Sequence, residues 1–289
     1  MTLPNFLIVG AMKCGTNTLR GYLMQHKEIF LAPHEVHFFD REDNYRRGIK
    51  WYERHFEGSR GQRAIGEKTP AYCFIPEAPE RINRHLPGVK MIWIFRDPIG
   101  RAYSNYWHQC RSGYERASFA DAIEQGLKEE QATGRTNCEY LGKGRYAEQV
   151  RRYLEIFPRE RMLFLLFEDF IRDPKQALLP VLDFIDVTPK VGIDTQLHQN
   201  PGYLPRNASL AWYSKKLFKN SRLHWLIRRH NRRPQAGYPQ MPNETKELLR
   251  QYYRPHNREL AELLGWNLEI WEADRIQWGK GEKLSQTAV

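Results

Sequence analysis

At 289 residues, 41% hydrophobic and 13% aromatic, the chain is long enough to bury a sizeable core and too apolar to stay disordered. Its longest apolar run, Met162–Phe167, falls far short of the roughly 20 residues a membrane helix needs. The net charge of +11 asks for an anionic partner or a purely solvation role, while four scattered cysteines (Cys14, Cys73, Cys110 and Cys138) without a CxxC pair argue against a disulfide scaffold or a zinc site.

From the N-terminus, residues 6–9 read as a buried strand that stops at Gly10, and a short loop leads to a helix starting near Asn17. This is a phosphate-binding layout, because glycines admit an anion close to the backbone and helix-start N–H groups point at it. Gly10 and Gly15 have the spacing of a nucleotide-triphosphate loop, but Thr16 follows the second glycine and the lysine lies inside the loop at Lys13. Such a loop suits one phosphate with Lys13 over it rather than a metal–triphosphate.

Further on, Glu35 and His37 are alternate residues of one stretch, so an extended backbone puts both on one side, followed by the water-excluding pair Phe38-Phe39. Asp40 is read as orienting a lysine or capping a turn. Lys68 follows an apolar-to-polar switch that resembles a strand end. Residues 90–95 read as a central strand, Arg96 falls at its C-terminal end, and Asp97 with Pro98 opens a helix. Ser104 lies two turns into that helix; Arg101 either assists it or is solvated, and His108 reads as packing or surface. A helix over 141–156, a strand over 161–166, a long loop over 190–207, a helix over 242–264 closed by Gly265 and a fraying tail follow. From Lys215 to Arg233, eight Lys/Arg alternate with apolar residues, which reads as a solvated basic face over a core stripe, with contact to membrane or to an anionic acceptor as the other reading. The pattern predicts one α/β domain over 1–289, with a mostly parallel sheet flanked by helices and a core from about 6 to 264.

Lys13-Cys14-Gly15-Thr16-Asn17-Thr18 resembles the 5′-phosphosulfate loop of sulfotransferases that use 3′-phosphoadenosine 5′-phosphosulfate (PAPS). Glu35–Asp40, Glu67–Tyr72 and Arg96-Asp97-Pro98 follow in the order that family places them, and the first two resemble its heparan-sulfate N- and 3-O-sulfotransferase branch. The resemblance implies sulfuryl transfer from PAPS to a hydroxyl or amine of a saccharide or small molecule, without a metal. It implies that residues 13–18 bind the phosphosulfate, Glu35 acts as base, Lys68 is a substrate- or sulfate-side cation, and Arg96 with Ser104 holds the 3′-phosphate. His37 orients the acceptor, contacts the phosphosulfate or shares the base role. The family's motifs that close over the 3′-phosphate are missing here, and Arg206-Asn207 is a candidate replacement.

Two other functions compete: a small-molecule kinase, disfavoured by the place of Lys13, and a basic polyanion-binding module. No nucleic-acid-binding pattern is expected, nor export or an anchor, and the cysteine usage predicts a cytoplasmic protein.

Overall fold

Long apolar runs with hardly a polar residue need cover on both faces, and residues 6–10, 91–95 and 162–166 are of that kind. In a computed structural model, which describes residues 2–134, 139–189, 192–196, 204–218, 221–233 and 238–272, the first elements are β1 (Phe6–Gly10), α1 (Thr16–Leu23), β2 (Ile29–Leu31), α2 (Glu42–Tyr45) and α3 (Ile49–Glu53). They are followed by β3 (Ala64–Lys68), α4 (Ala78–His85), β4 (Lys90–Phe95), α5 (Pro98–Ser112), α6 (Phe119–Thr133), α7 (Tyr146–Leu154), β5 (Met162–Leu166), α8 (Phe167–Arg172) and α9 (Pro174–Phe184). The last are β6 (Leu204–Pro205), α10 (Ala208–Phe218), α11 (Arg222–His230), β7 (Arg232–Arg233), α12 (Asn243–Leu264) and α13 (Glu269–Glu272). The contacts divide the chain into two compact units interleaved in sequence, 1–96 with 148–200 and 97–147 with 201–289.

The first unit holds a five-stranded sheet in the order β2-β3-β1-β4-β5, every pair parallel. The expected α/β sheet with helical cover is therefore present. All of β1 is buried, as is β4 apart from Lys90, and Trp93 packs edge-on to Tyr153 at 4.8 Å. Ile8 pairs with both Lys68 and Ile92, which brings the C-terminal ends of β1, β3 and β4 to one edge of the sheet. That edge is where open α/β sheets bind ligands.

The second unit is mainly helical. As expected, the Asp97 carboxylate caps α5, accepting from the N–H groups of Ile99 and Gly100, and Gly265 in left-handed conformation ends α12. The helix expected over 141–156 is shorter: a 3-10 turn occupies Gly142–Gly144 and α7 begins at Tyr146. Two glycines weaken a helix there, and a Cβ on Gly144 would stand 2.7 Å from the Tyr253 ring. Arg101 is not solvated: it is fully buried and donates to the Tyr140 carbonyl beside the Tyr253 hydroxyl. Within the expected loop 190–207, Leu204–Pro205 pairs antiparallel with β7; residues 197–203, the tail beyond 272 and Cys138 lie outside the described residues. The apolar positions of α10 and α11 are not the expected core stripe, since Leu217 is 66% and Trp225 57% exposed.

Candidate active site

The loop after β1 is shaped by its two glycines. A Cβ on Gly10 would lie 2.5 Å from Cys73 Sγ, and one on Gly15 2.9 Å from the Phe167 ring, so neither position has room for a side chain. Lys13 (φ 73°) and Gly15 (φ 84°) both adopt left-handed backbone, which bends the loop into a concave cradle. The first intrahelical bond of α1 runs from the Leu19 N–H to the Gly15 carbonyl at 3.0 Å. The N–H groups of Thr16, Asn17 and Thr18 therefore stand at the open start of the helix, one residue earlier than the sequence suggested. Cys14 is fully buried, so it offers the site its backbone rather than its thiol. Arg96, at the end of β4, points Nη1 at the Lys13 carbonyl (3.5 Å) and lays its guanidinium 4.7 Å from the Phe167 ring centroid. Phe167 thus braces both the glycine cradle and the arginine; nothing in its sequence setting signals that.

The second cluster forms beside this loop. Lys68, at the end of β3 and only 5% exposed, places Nζ 2.5 Å from Glu35 Oε1 and 2.5 Å from Asn17 Oδ1. Glu35 Oε2 lies 3.3 Å from His37 Nε2, and His37 Nδ1 lies 2.8 Å from Asp40 Oδ2. Glu35 and His37 do face one another, but not through a strand pleat: residues 32–37 are irregular, and His37 has φ 55°. Asp40 orients the histidine, not a lysine. Arg20, from α1, clamps the start of the segment by donating to the Ala32 and Pro33 carbonyls at 3.2 and 2.7 Å.

The charges in this chain set one another's protonation. Burial pushes the Glu35 carboxyl up, but the hydrogen bond from His37 and the Lys68 cation outweigh it and hold its pKa at about 2. Burial alone would lower the His37 pKa, yet hydrogen bonds to Asp40 and Glu35 raise it to about 9. At neutral pH Glu35 is therefore ionised and His37 protonated.

Beneath it, Glu67 is fully buried and held by hydroxyl groups. Its carboxylate accepts from the hydroxyls of Tyr52 (2.8 Å), Tyr72 (2.7 Å) and Thr69 (2.7 Å) and from the Val36 N–H. Tyr72 and Thr69 in turn accept from the N–H groups of Phe38 (3.1 Å) and His37 (3.4 Å). Burial pushes the Glu67 pKa up, against these bonds. One buried carboxyl thus fixes the backbone of the segment that carries Glu35 and His37. Phe38 and Phe39, both buried, anchor it from below, Phe38 stacking on Tyr52 at 4.7 Å.

Two further sequence candidates lie in the second unit. Ser104 is buried within α5. Arg206 is tied into the β6–β7 ribbon, its Nε donating to the Arg232 carbonyl at 3.1 Å and its N–H to the Asn231 carbonyl at 2.8 Å.

The model of the sulfotransferase domain matches residues 3–260. The chain belongs to the sulfotransferase family. It is 27% identical over 269 residues to the mouse heparan sulfate glucosamine 3-O-sulfotransferase 5, spanning 92% of this chain and 73% of that one. It is 31% identical to the human bifunctional heparan sulfate N-deacetylase/N-sulfotransferase 3, of which it spans 32%. A crystal structure of a sulfotransferase from Alicyclobacillus acidocaldarius superposes with a TM-score of 0.71 at 28% identity, covering 94% of this chain and all of that one. Sulfotransferases of this family take the sulfuryl group from PAPS, so the kinase and polyanion-module readings give way to a PAPS-dependent transferase. Among the described residues, no helix is long and apolar enough to cross a membrane.

Proposed function

We propose that this sulfotransferase uses Glu35 as the proton acceptor, Lys13 and Lys68 as the cations at the departing phosphate, and an amino-sugar hydroxyl or amine as acceptor. The observation that carries the reading is the Lys68–Glu35–His37–Asp40 row beside the cradle at Lys13 to Thr18. A phosphosulfate suits that cradle chemically, since Lys13 and Gly15 turn it through left-handed backbone and α1 offers its first N–H groups. In the reaction the S–O bond to the phosphate breaks, an S–O bond to a hydroxyl or an S–N bond to an amine forms, and the acceptor's proton must leave.

Between the two possible bases, the charge pattern favours the glutamate. With a pKa of about 9, His37 is already protonated at neutral pH and serves as a donor that orients Glu35. A carboxylate held at about 2 is a weak base while Lys68 sits on it. Negative charge growing at the departing phosphate draws Lys68 away, and Glu35 becomes more basic at the stage when the proton must be accepted. Asn17, which shares Lys68 with Glu35, reports the state of the loop to that cation. Arg96 is assigned to the 3′-phosphate because its guanidinium is buried beside the loop.

The acceptor class follows the relatives, which are named for heparan sulfate glucosamine. The thiols of Cys14, Cys73 and Cys110 accord with a reducing, cytoplasmic setting. Transfer from ³⁵S-labelled PAPS to a panel of glucosamine oligosaccharides, simple alcohols and amines, with EDTA present, tests the reading. Label in the amino sugars is expected. Label confined to the simple alcohols overturns the acceptor class, and loss of activity with EDTA overturns the metal-free route.

A further inference from the structure

Helices α10 and α11 expose apolar surface in a regular pattern. Leu210, Tyr213 and Leu217 recur at helical spacing on α10, exposed by 46, 48 and 66%, and Leu223 and Leu226 do so on α11 beside Trp225. Seven of the eleven large hydrophobic side chains exposed among the described residues fall between Leu210 and Leu226. An exposed cluster of that kind marks an interaction surface, whereas single exposed apolar residues do not.

The charge around it is just as uneven. From residue 195 to 243 the sequence has no Asp or Glu but nine Lys/Arg, while outside that stretch 36 Lys/Arg nearly balance 34 Asp/Glu. Almost the whole excess charge therefore sits on this segment. The cations flank the apolar residues: Arg229 lies 5.4 Å from the Trp225 ring centroid and Lys216 4.8 Å from that of Trp212. Between the helices a groove of about 390 Å³ has Leu210, Leu226 and Ile227 in its lining, with Arg206 and His230 beside them.

Each feature alone fits several partners, but the combination is selective. A soluble polyanion would use the cations and leave Leu217 and Trp225 in water. A protein partner would use the apolar residues and the arginines as well, but it does not call for a segment wholly without Asp or Glu. An anionic bilayer uses both, because apolar side chains enter the boundary between headgroups and acyl chains while Lys and Arg reach the phosphates.

We propose that the α10–α11 pair lies flat on an anionic membrane surface, as a peripheral attachment that does not span it. The transferase would then work close to a charged lipid surface. This goes beyond the proposed transfer chemistry and does not depend on which residue is the base.

Co-sedimentation of the full chain with phosphatidylcholine vesicles, with and without phosphatidylserine, tests it. Wild type should bind the anionic vesicles at least about tenfold more tightly than the neutral ones. Leu217→Ser with Trp225→Ser, and separately Lys216→Glu with Arg222→Glu and Arg229→Glu, should each weaken that binding by about tenfold or more with the melting temperature kept. If the double serine variant melts early, Trp225→Ser alone is measured, because this exposed side chain tolerates truncation. Equal binding to both vesicles, or none, overturns the proposal. So does full binding by the serine variants, which would leave only a screened charge contact. A concentration-dependent dimer that does not bind vesicles and that the serine variants dissociate would assign the face to a second copy of the chain instead.

Discussion

Lys68 Nζ stands 2.5 Å from Glu35 Oε1, so the group proposed to take the proton is paired, at rest, with a cation that suppresses its basicity. The same ammonium touches Asn17 on the first turn of α1. On the proposed reading, proton acceptance at one end and charge neutralisation at the other share a single side chain. A fixed cation that stabilised only the departing phosphate would not need to sit on the base.

The pH profile follows from the signs of the shifts. His37 rises from 6.5 to about 9, so its contribution to stability is complete below 6.5 and disappears as pH climbs through about 9. Glu35 falls from 4.5 to about 2, so its contribution is complete above 4.5 and disappears only near 2. With Glu35 as base, kcat should be flat from pH 6 to 8 and fall as His37 loses its proton near pH 9. A rate that climbs toward pH 9 instead would make neutral His37 the base.

Arg96→Ala should raise the KM for PAPS by roughly 10- to 100-fold and leave kcat at saturation nearly unchanged, because a 3′-phosphate contact acts before and during transfer alike. Circular dichroism must establish that the variant is folded, since the side chain is buried against Phe167. Unchanged KM in a folded variant removes Arg96 from the site. As a separate check, adenosine 3′,5′-bisphosphate at about 100 times its Kd should add about 2.7 kcal/mol of stability, with AMP giving less at equal concentration.

Most of the fold was legible because buried parallel strands announce themselves as unbroken apolar runs; β1, β4 and β5 fell where those runs lie. The three-residue β2 was too short to leave such a signal. Lys13, Gly15, Glu35, His37 and Lys68 could be picked out by motif order, and the structure brings Glu35, His37 and Lys68 into one charged row. The route by which Glu35 and His37 meet was not legible, because a left-handed residue at His37 leaves no mark in an L-residue sequence. Nor was Glu67, whose partners Tyr52 and Tyr72 lie up to fifteen residues away and meet it only through the packing of β3 against the segment before α2. Arg101, which its spacing left between a ligand face and a solvated one, is fully buried and donates to the Tyr140 carbonyl, so the solvated reading falls.

Glu67→Gln should act at a distance from the chemistry. Glutamine keeps the shape but brings its own N–H donors to a site already crowded with hydroxyl donors, at a cost of about 1–3 kcal/mol. A lower melting temperature and a lower kcat are expected, with the affinity for adenosine 3′,5′-bisphosphate little changed, because the loop at Lys13 to Thr18 does not hang on this carboxyl. Tyr52→Phe, which removes one of the hydroxyls, should show the same pattern more weakly. Equal loss of kcat and of nucleotide affinity would mean that Glu67 supports the whole unit rather than the 35–38 segment.

The central claim, that Glu35 takes the acceptor's proton, is tested most directly by single-turnover sulfuryl transfer in Glu35→Gln beside His37→Ala. Glutamine preserves size and hydrogen bonding but cannot accept the proton, so Glu35→Gln should lose about 10² to 10⁴ in rate with the Kd for adenosine 3′,5′-bisphosphate nearly intact. His37→Ala, which removes a positioning cation, should lose less and abolish the fall in rate near pH 9. A Glu35→Gln variant that transfers at close to the wild-type rate, with His37→Ala inactive, would contradict the account.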